Sequence, residues 1–300
     1  MSTAPAGRSA AKEEHVELKT ILEALYQNRS QAHLANDPLS FCHRYSDPLD
    51  QEVAGLVASS FAYGNVKIIK KNLAGIFQAM GPSPRRFVER FDPKQGSRLF
   101  AGFKHRFNDA RDLCALLLAC RIMLEEAGSV EKWLLRFYTP ADEDLTGTLS
   151  GFSEAAKNLD LSPVFGPGGV PADSYYPFFF PSPASGSACK RLCMLLRWMV
   201  RPADGIDLGI WHGISPAQLV IPVDAHIQRI CRFLGFTGRK QGDWRMACEI
   251  TRALRELDPA DPVKYDFAIC HLGISEGCDG KDRLKCAACP IGDICSAGTD

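Results

Sequence analysis

Apolar residues recur along this chain with the period of a helix almost from end to end. The segment EEHVELKTILEALYQNR sets Leu18, Ile21, Leu22 and Leu25 on one face, the spacing of an amphipathic helix. Asp47-Pro48 offers a cap and a first-turn proline for a second helix running toward Phe61. The same period predicts helices over about 65–80, 109–127 and 130–138. The pattern then breaks between Leu161 and Ser187, where prolines, a GPGG run and the aromatics Tyr175, Tyr176, Phe178, Phe179 and Phe180 predict a long irregular connection. Such loops in compact proteins are usually functional or disordered. Its aromatics are expected to pack onto the body; the alternative is a stacking platform for nucleobases.

Helical periodicity resumes over Ser187–Arg201 (SACKRLCMLLRWMVR). Ala188, Leu192, Leu195, Leu196 and Met199 form its apolar side, while Lys190, Met194, Arg197 and Arg201 share another face. In IPVDAHIQRICRFLGF, Asp224 stands at the start of a helix with apolar positions Ile227, Ile230, Cys231 and Leu234. A further helix is expected over about 243–257, and a last one from Asp258-Pro259 to near His271-Leu272-Gly273. No repeat and no alternating strand pattern interrupts this series, so the expected class is all-α.

Composition narrows the setting. With 46% apolar residues the 300-residue chain can bury a substantial core. No apolar run reaches membrane-spanning length and the first residues carry no signal-peptide core, so a cytoplasmic protein without membrane contact is expected. Lysine plus arginine balance aspartate plus glutamate at 35 each, so any attraction to nucleic acid must be local. Residues 186–201 carry Lys190, Arg191, Arg197 and Arg201 with no acidic residue. Residues 225–255 carry Arg229, Arg232, Arg239, Lys240, Arg245, Arg252 and Arg255 against Asp243 and Glu249. These stretches read either as solvated helix surface or as phosphate-contacting faces.

Three places could carry chemistry. Cys278, Cys286, Cys289 and Cys295 form a C-x7-C-x2-C-x5-C motif, the ligand set of one iron–sulfur cluster or one structural zinc. The other eight cysteines, in contexts such as LCALLLAC, suit small buried hydrophobes in a reducing compartment. Asp224 is either a helix cap or a catalytic carboxylate. Lys190 is either solvated or a nucleophile, and Gly186-Ser187 just before it could present backbone N–H groups to a phosphate.

The order of these parts resembles the helix-hairpin-helix DNA glycosylases, notably endonuclease III. That family has a valine-aspartate-threonine-histidine segment with the catalytic aspartate and a C-x6-C-x2-C-x5-C motif that binds a 4Fe–4S cluster. Val223-Asp224-Ala225-His226 is similar to the first; the four terminal cysteines are similar to the second, with one extra residue in the first gap. Residues 47–73 look like the family's early helical pair. More closely, about residues 35–295 resemble an uncharacterised bacterial protein family distantly related to these glycosylases, through the segments FPSPASGSACKRL, DGIDLGIW, ISPAQL and DPVKYDF. The chain lacks the glycosylases' Leu-Pro-Gly-Val-Gly hairpin, and Gly186-Ser187 is its nearest substitute. The gap from Lys190 to Asp224 is longer than in endonuclease III, as it is in an archaeal 8-oxoguanine glycosylase branch.

The resemblance implies an N-terminal extension over 1–34, a glycosylase-like helical body over 35–275 and a cysteine-cluster loop over 276–300. It implies an iron–sulfur protein that binds duplex DNA and removes a damaged base, with Asp224 as catalytic carboxylate and Lys190 as the nucleophile of an AP lyase. Gly186, Ser187, Arg191, Arg197, Arg229 and Arg232 would contact nucleic acid. The alternative is a non-catalytic nucleic-acid-binding or redox-sensing protein on the same scaffold. No sequence feature calls for an obligate protein partner.

Overall fold

A computed structural model describes residues 7–28, 31–274 and 276–298. Residues 1–6 and 29–30 of the expected N-terminal extension, residue 275 of the expected body and residues 299–300 of the expected cysteine loop lie outside the described residues. The helices run in the order α1 (Gly7–Gln27), α2 (Gln31–Leu34), α3 (Pro48–Ser60), α4 (Val66–Met80), α5 (Pro84–Glu89), α6 (Pro93–Leu99), α7 (Ala110–Ala127) and α8 (Val130–Leu135). They continue as α9 (Thr146–Lys157), α10 (Ser162–Phe165), α11 (Lys190–Val200), α12 (Ala225–Phe233), α13 (Trp244–Leu257), α14 (Asp266–Ile274) and α15 (Arg283–Ala287). Strand among the described residues is confined to one hairpin, β1 (Lys104–His105) with β2 (Asn108–Asp109). The protein is all-α in class.

Sequence-local caps start many of these helices. Asp47, Ser83 and Asp92 each precede a proline, and each side chain accepts a backbone N–H of the following turn. Proline loses nothing at that position, because its missing N–H would be unpaired there anyway. Asp109 and Asp112 form a reciprocal capping box on α7.

The core centres on α3 and α7. Nearly all of α3 is buried, which explains why its VAGLVASS stretch is apolar or small on every side. Gly55 on α3 admits α11: a Cβ there would lie 2.1 Å from the Met199 side chain. Glu52, also on α3, reaches over to cap α8, its two carboxylate oxygens accepting Val130 N (2.9 Å) and Glu131 N (2.7 Å).

The irregular connection packs down as expected for Tyr176, Phe179 and Phe180, all buried. The Tyr176 hydroxyl donates to Ala156 O at 2.6 Å. Tyr175 and Phe178 stay exposed, with Tyr175 stacked on Phe107 of the hairpin at 5.2 Å between ring centroids.

Several boundaries differ from expectation. Helix α11 begins at Lys190 instead of Ser187, because Cys189 takes a left-handed backbone (φ 49°) and Ser187 bridges to Asp243. The last long helix starts at Asp266 instead of Asp258-Pro259. There Asp258 closes α13, and the Asp261 carboxylate is drawn to Arg201 Nε at 3.0 Å. The predicted helix over 130–138 ends at Leu135.

Candidate functional site

Asp224 follows Val220-Ile221-Pro222-Val223, an extended and fully buried run that fixes where α12 can begin. Its Oδ1 accepts His226 N at 2.8 Å and Ile227 N at 2.9 Å, which makes it the cap of α12. Its Oδ2 points elsewhere. That oxygen lies 3.7 Å from Lys190 Nζ and 3.6 Å from Cys270 Sγ. The carboxylate is thus divided: one oxygen serves the helix and the other meets a lysine from the first turn of α11. Lys190 retains 34% of its side-chain exposure, so its amine faces both Asp224 and open space.

Both residues line a cleft of about 840 Å³ between α4, α11, α12 and α14, whose wall includes Asp37, Tyr63, Met194, Arg197, Phe267 and His271. Burial holds the Cys270 proton on sulfur well above the ordinary thiol range, an effect reinforced by Asp224 and Asp266 and opposed by Lys190. The thiol is therefore a donor toward Asp224. His271 is held down at about 4 by burial and then by His33, Arg197 and His226 around it. Asp266 is pushed up to about 6 by burial, against the pull of Arg197.

Cys270 and His271 were not singled out by the sequence, where Cys270 read as one more buried thiol in FAICHLG. Its spacing of four from Asp266 places both on one face of α14, but only the crossing of α14 over α12 brings that face to Asp224. This crossing depends on Gly273, where a Cβ would stand 2.2 Å from His226 Nδ1.

The structure corrects three of the expected phosphate contacts. Arg191 is 6% exposed, donates to Ser60 O and Phe178 O, and lies 3.9 Å from the Phe178 ring centroid. Arg197 is 4% exposed and spans Asp207 and Asp266. Arg229 is half-buried and turns inward, donating to Cys278 O and facing His226 Nδ1 at 3.2 Å. In each case the guanidinium turns to interior carboxylates or carbonyls, which supply most of the partners a buried charge needs, while Arg197 Nη2 and Arg229 Nε are left without a hydrogen bond. Arg201, on the same stretch, is likewise buried, against Asp204, Asp207 and Asp261. Of the other expected contacts, Gly186 and Arg232 are exposed and Ser187 is half-buried, its hydroxyl accepting Cys189 N at 3.2 Å.

Of the four terminal cysteines, Cys286 lies in α15 and the other three flank it in sequence. Cys278, Cys286 and Cys289 line a hollow of about 160 Å³. Burial raises the Cys289 thiol, and the charges of Cys278, Cys295 and Cys286 raise it further, so all four sulfurs lie within electrostatic reach. A Cys289 N to Cys286 O hydrogen bond of 3.1 Å closes the turn between the two middle cysteines. Among the described residues no group of three or more His, Cys, Asp or Glu side chains is gathered as a metal site. The donor chemistry suits a thiophilic metal.

Among the described residues no helix is long and apolar enough to cross a membrane. No curated protein and no solved structure matches the chain. One family model does match, over residues 37–275, which take in the Lys190–Asp224 cleft apart from Asn36 at its edge and stop short of Cys278. By that match the chain belongs to the family described as Protein of unknown function (DUF2400).

Proposed function

We propose that this protein binds duplex DNA and cleaves the N-glycosidic bond of a damaged nucleotide, on a fold of the helix-hairpin-helix glycosylase kind. The observation that carries this reading is the Lys190–Asp224 pair, 3.7 Å apart in the wall of a cleft wide enough for a nucleotide. Asp224 Oδ2 takes the proton of the Lys190 ammonium, and the freed amine bonds to the sugar anomeric carbon. The base leaves with the electron pair of the broken glycosidic bond and takes up the proton that Asp224 received. Asp224, ionised again by that transfer, stabilises positive charge on the sugar. Base extrusion is needed because the anomeric carbon of a stacked nucleotide is out of reach of the cleft.

In the same proposal Cys278, Cys286, Cys289 and Cys295 hold a 4Fe–4S cluster, or else a structural zinc. Four thiolates saturate such a site, so it braces the C-terminal segment and supplies no open position to substrate. Arg229 carries that bracing to α12, since it joins the helix of Asp224 to the carbonyl of Cys278.

The test is borohydride trapping on a panel of lesion-bearing duplexes with anaerobically purified protein. Wild type is expected to give a covalent adduct that Lys190→Ala abolishes, and Asp224→Asn to lower turnover roughly 10²–10⁴-fold. Base release that survives Lys190→Ala but not Asp224→Asn would assign a glycosylase without lyase activity. Binding with neither adduct nor base release across the panel would leave the non-catalytic alternative.

A further inference from the structure

Lys190, Met194 and Arg197 succeed one another along one face of α11, and all three line the cleft. From Lys190 to Arg197 the helix advances about 10 Å. That length accommodates a sugar carbon at Lys190 and a purine or pyrimidine ring alongside Met194. At the far end, Arg197 gives Nε to Asp207 and Nη1 to Asp266, while its Nη2 is buried with no hydrogen-bond partner. An arginine cannot escape this by losing its charge, and a buried donor without an acceptor bears its full desolvation penalty.

Asp37, on the same cleft wall, offers the complementary group. Its Oδ1 accepts Leu39 N at 2.8 Å, and its other oxygen makes no hydrogen bond within the protein. Asp37 lies within the field of Arg197 but forms no ion pair with it, whose carboxylate partners are Asp207 and Asp266. One donor and one acceptor with no hydrogen bond inside the protein thus belong to two residues that line the same cleft. Phe267 and His271, 4.4 Å between ring centroids, provide an aromatic side to the same space.

We propose that this end of the cleft is a nucleobase pocket selective for a lactam edge: a ring carbonyl accepts from Arg197 Nη2 and the adjacent ring N–H donates to Asp37. The proposal rests on the placement of the sugar at Lys190 and Asp224 argued above. Uracil and hypoxanthine carry this edge. Adenine and cytosine carry the reverse order, an amino group where the carbonyl stands and a bare ring nitrogen where the N–H stands. Either would set donor against donor and acceptor against acceptor, a mismatch that a polar pocket rejects strongly.

The test measures binding of free hypoxanthine and free adenine to the full chain by equilibrium dialysis, in wild type, Met194→Trp and Asp37→Asn. Arg197 is left intact, because removing it strands Asp207 and Asp266. Thermal unfolding of each variant certifies the fold. Wild type is expected to bind hypoxanthine at least about tenfold more tightly than adenine. Met194→Trp fills the ring space and abolishes that binding; Asp37→Asn keeps binding but shrinks the preference at least about threefold. Equal binding of the two bases, no binding of either, or unchanged binding in folded Met194→Trp overturns the pocket. A trapped Lys190 adduct on duplexes with no hypoxanthine preference overturns the pocket while the glycosidic chemistry stands. A hypoxanthine preference with no adduct or base release does the reverse.

Discussion

Gly273 and His226 show how finely the cleft is set at the level of single residues. Gly273→Ala would place a methyl 2.2 Å from the His226 ring, so α12 and α14 must separate or the ring must leave its position. We expect a loss of about 1–3 kcal/mol in urea unfolding, with reduced turnover, since the moving helix carries Asp224. An unchanged urea midpoint would show that the ring gives way freely. His271 adds a pH signature. Its folded value, about 4, lies below the ordinary imidazole value of 6.5, so the unfolded chain takes up a proton that the folded chain refuses. Stability from this group is full above about 6.5 and is lost as pH falls toward about 4. Asp266, raised to about 6, works the other way, adding stability as pH falls from about 6 to its ordinary value of 3.8. His271→Gln is therefore expected to flatten the fall of the urea midpoint between pH 7 and pH 5, and an unaltered slope would contradict this. Cys270 at Asp224 could not be read from sequence, because a buried thiol looks the same whether it faces a leucine or a carboxylate.

At the level of elements, helices that reach the core through long apolar stripes were legible, and those defined by tertiary partners were not. α4, α7 and α13 lie close to their expected limits, since their periodicity and caps agree. The short α5 and α6 went unseen, too brief for a periodic pattern despite Ser83-Pro84 and Asp92-Pro93. The basic face of α11 was misjudged for a physical reason: Lys190, Arg197 and Arg201 share a stripe, and only Lys190 has no buried cluster of carboxylates opposite. Those carboxylates, Asp204, Asp207, Asp261 and Asp266, come from segments after α11 that no local pattern ties to it. A similar long-range dependence starts α8, whose first N–H groups are met by Glu52 of α3. Glu52→Ala orphans both and is expected to cost roughly 3 kcal/mol in chemical denaturation. Glu52→Gln, which keeps an acceptor, should cost less; equal losses would assign the effect to packing.

For the whole molecule, the cleft and the cysteine segment are joined through α12. Arg229 reaches Cys278 O, Ser296 donates to Phe233 O at 2.9 Å, and Gly280 lies so near Phe233 that a Cβ would stand 2.3 Å from its ring. Metal analysis of anaerobically purified protein is expected to find iron with sulfide, or zinc. Cys286→Ser should then lower the melting temperature by on the order of 5 °C while far-UV dichroism keeps its helical signal. Metal-free protein that melts at the same temperature with and without the substitution would argue against a bound metal. The cysteine spacing was plain in the sequence because Cys278, Cys286, Cys289 and Cys295 fall within eighteen residues. Lys190 and Asp224, 34 positions apart, were each visible but their meeting was not, for it depends on how α11 and α12 are packed.

The divided carboxylate of Asp224 has a bearing on how kindred chains are to be judged. A kindred chain without the proposed chemistry would still keep a capping residue there, aspartate among them, because α12 needs its first turn closed. Loss of activity and loss of folding would also coincide in Asp224→Ala, so that substitution diagnoses nothing. Lys190 caps nothing and has no such structural duty, and its presence or replacement is the sharper sign of whether a relative could carry out the proposed chemistry.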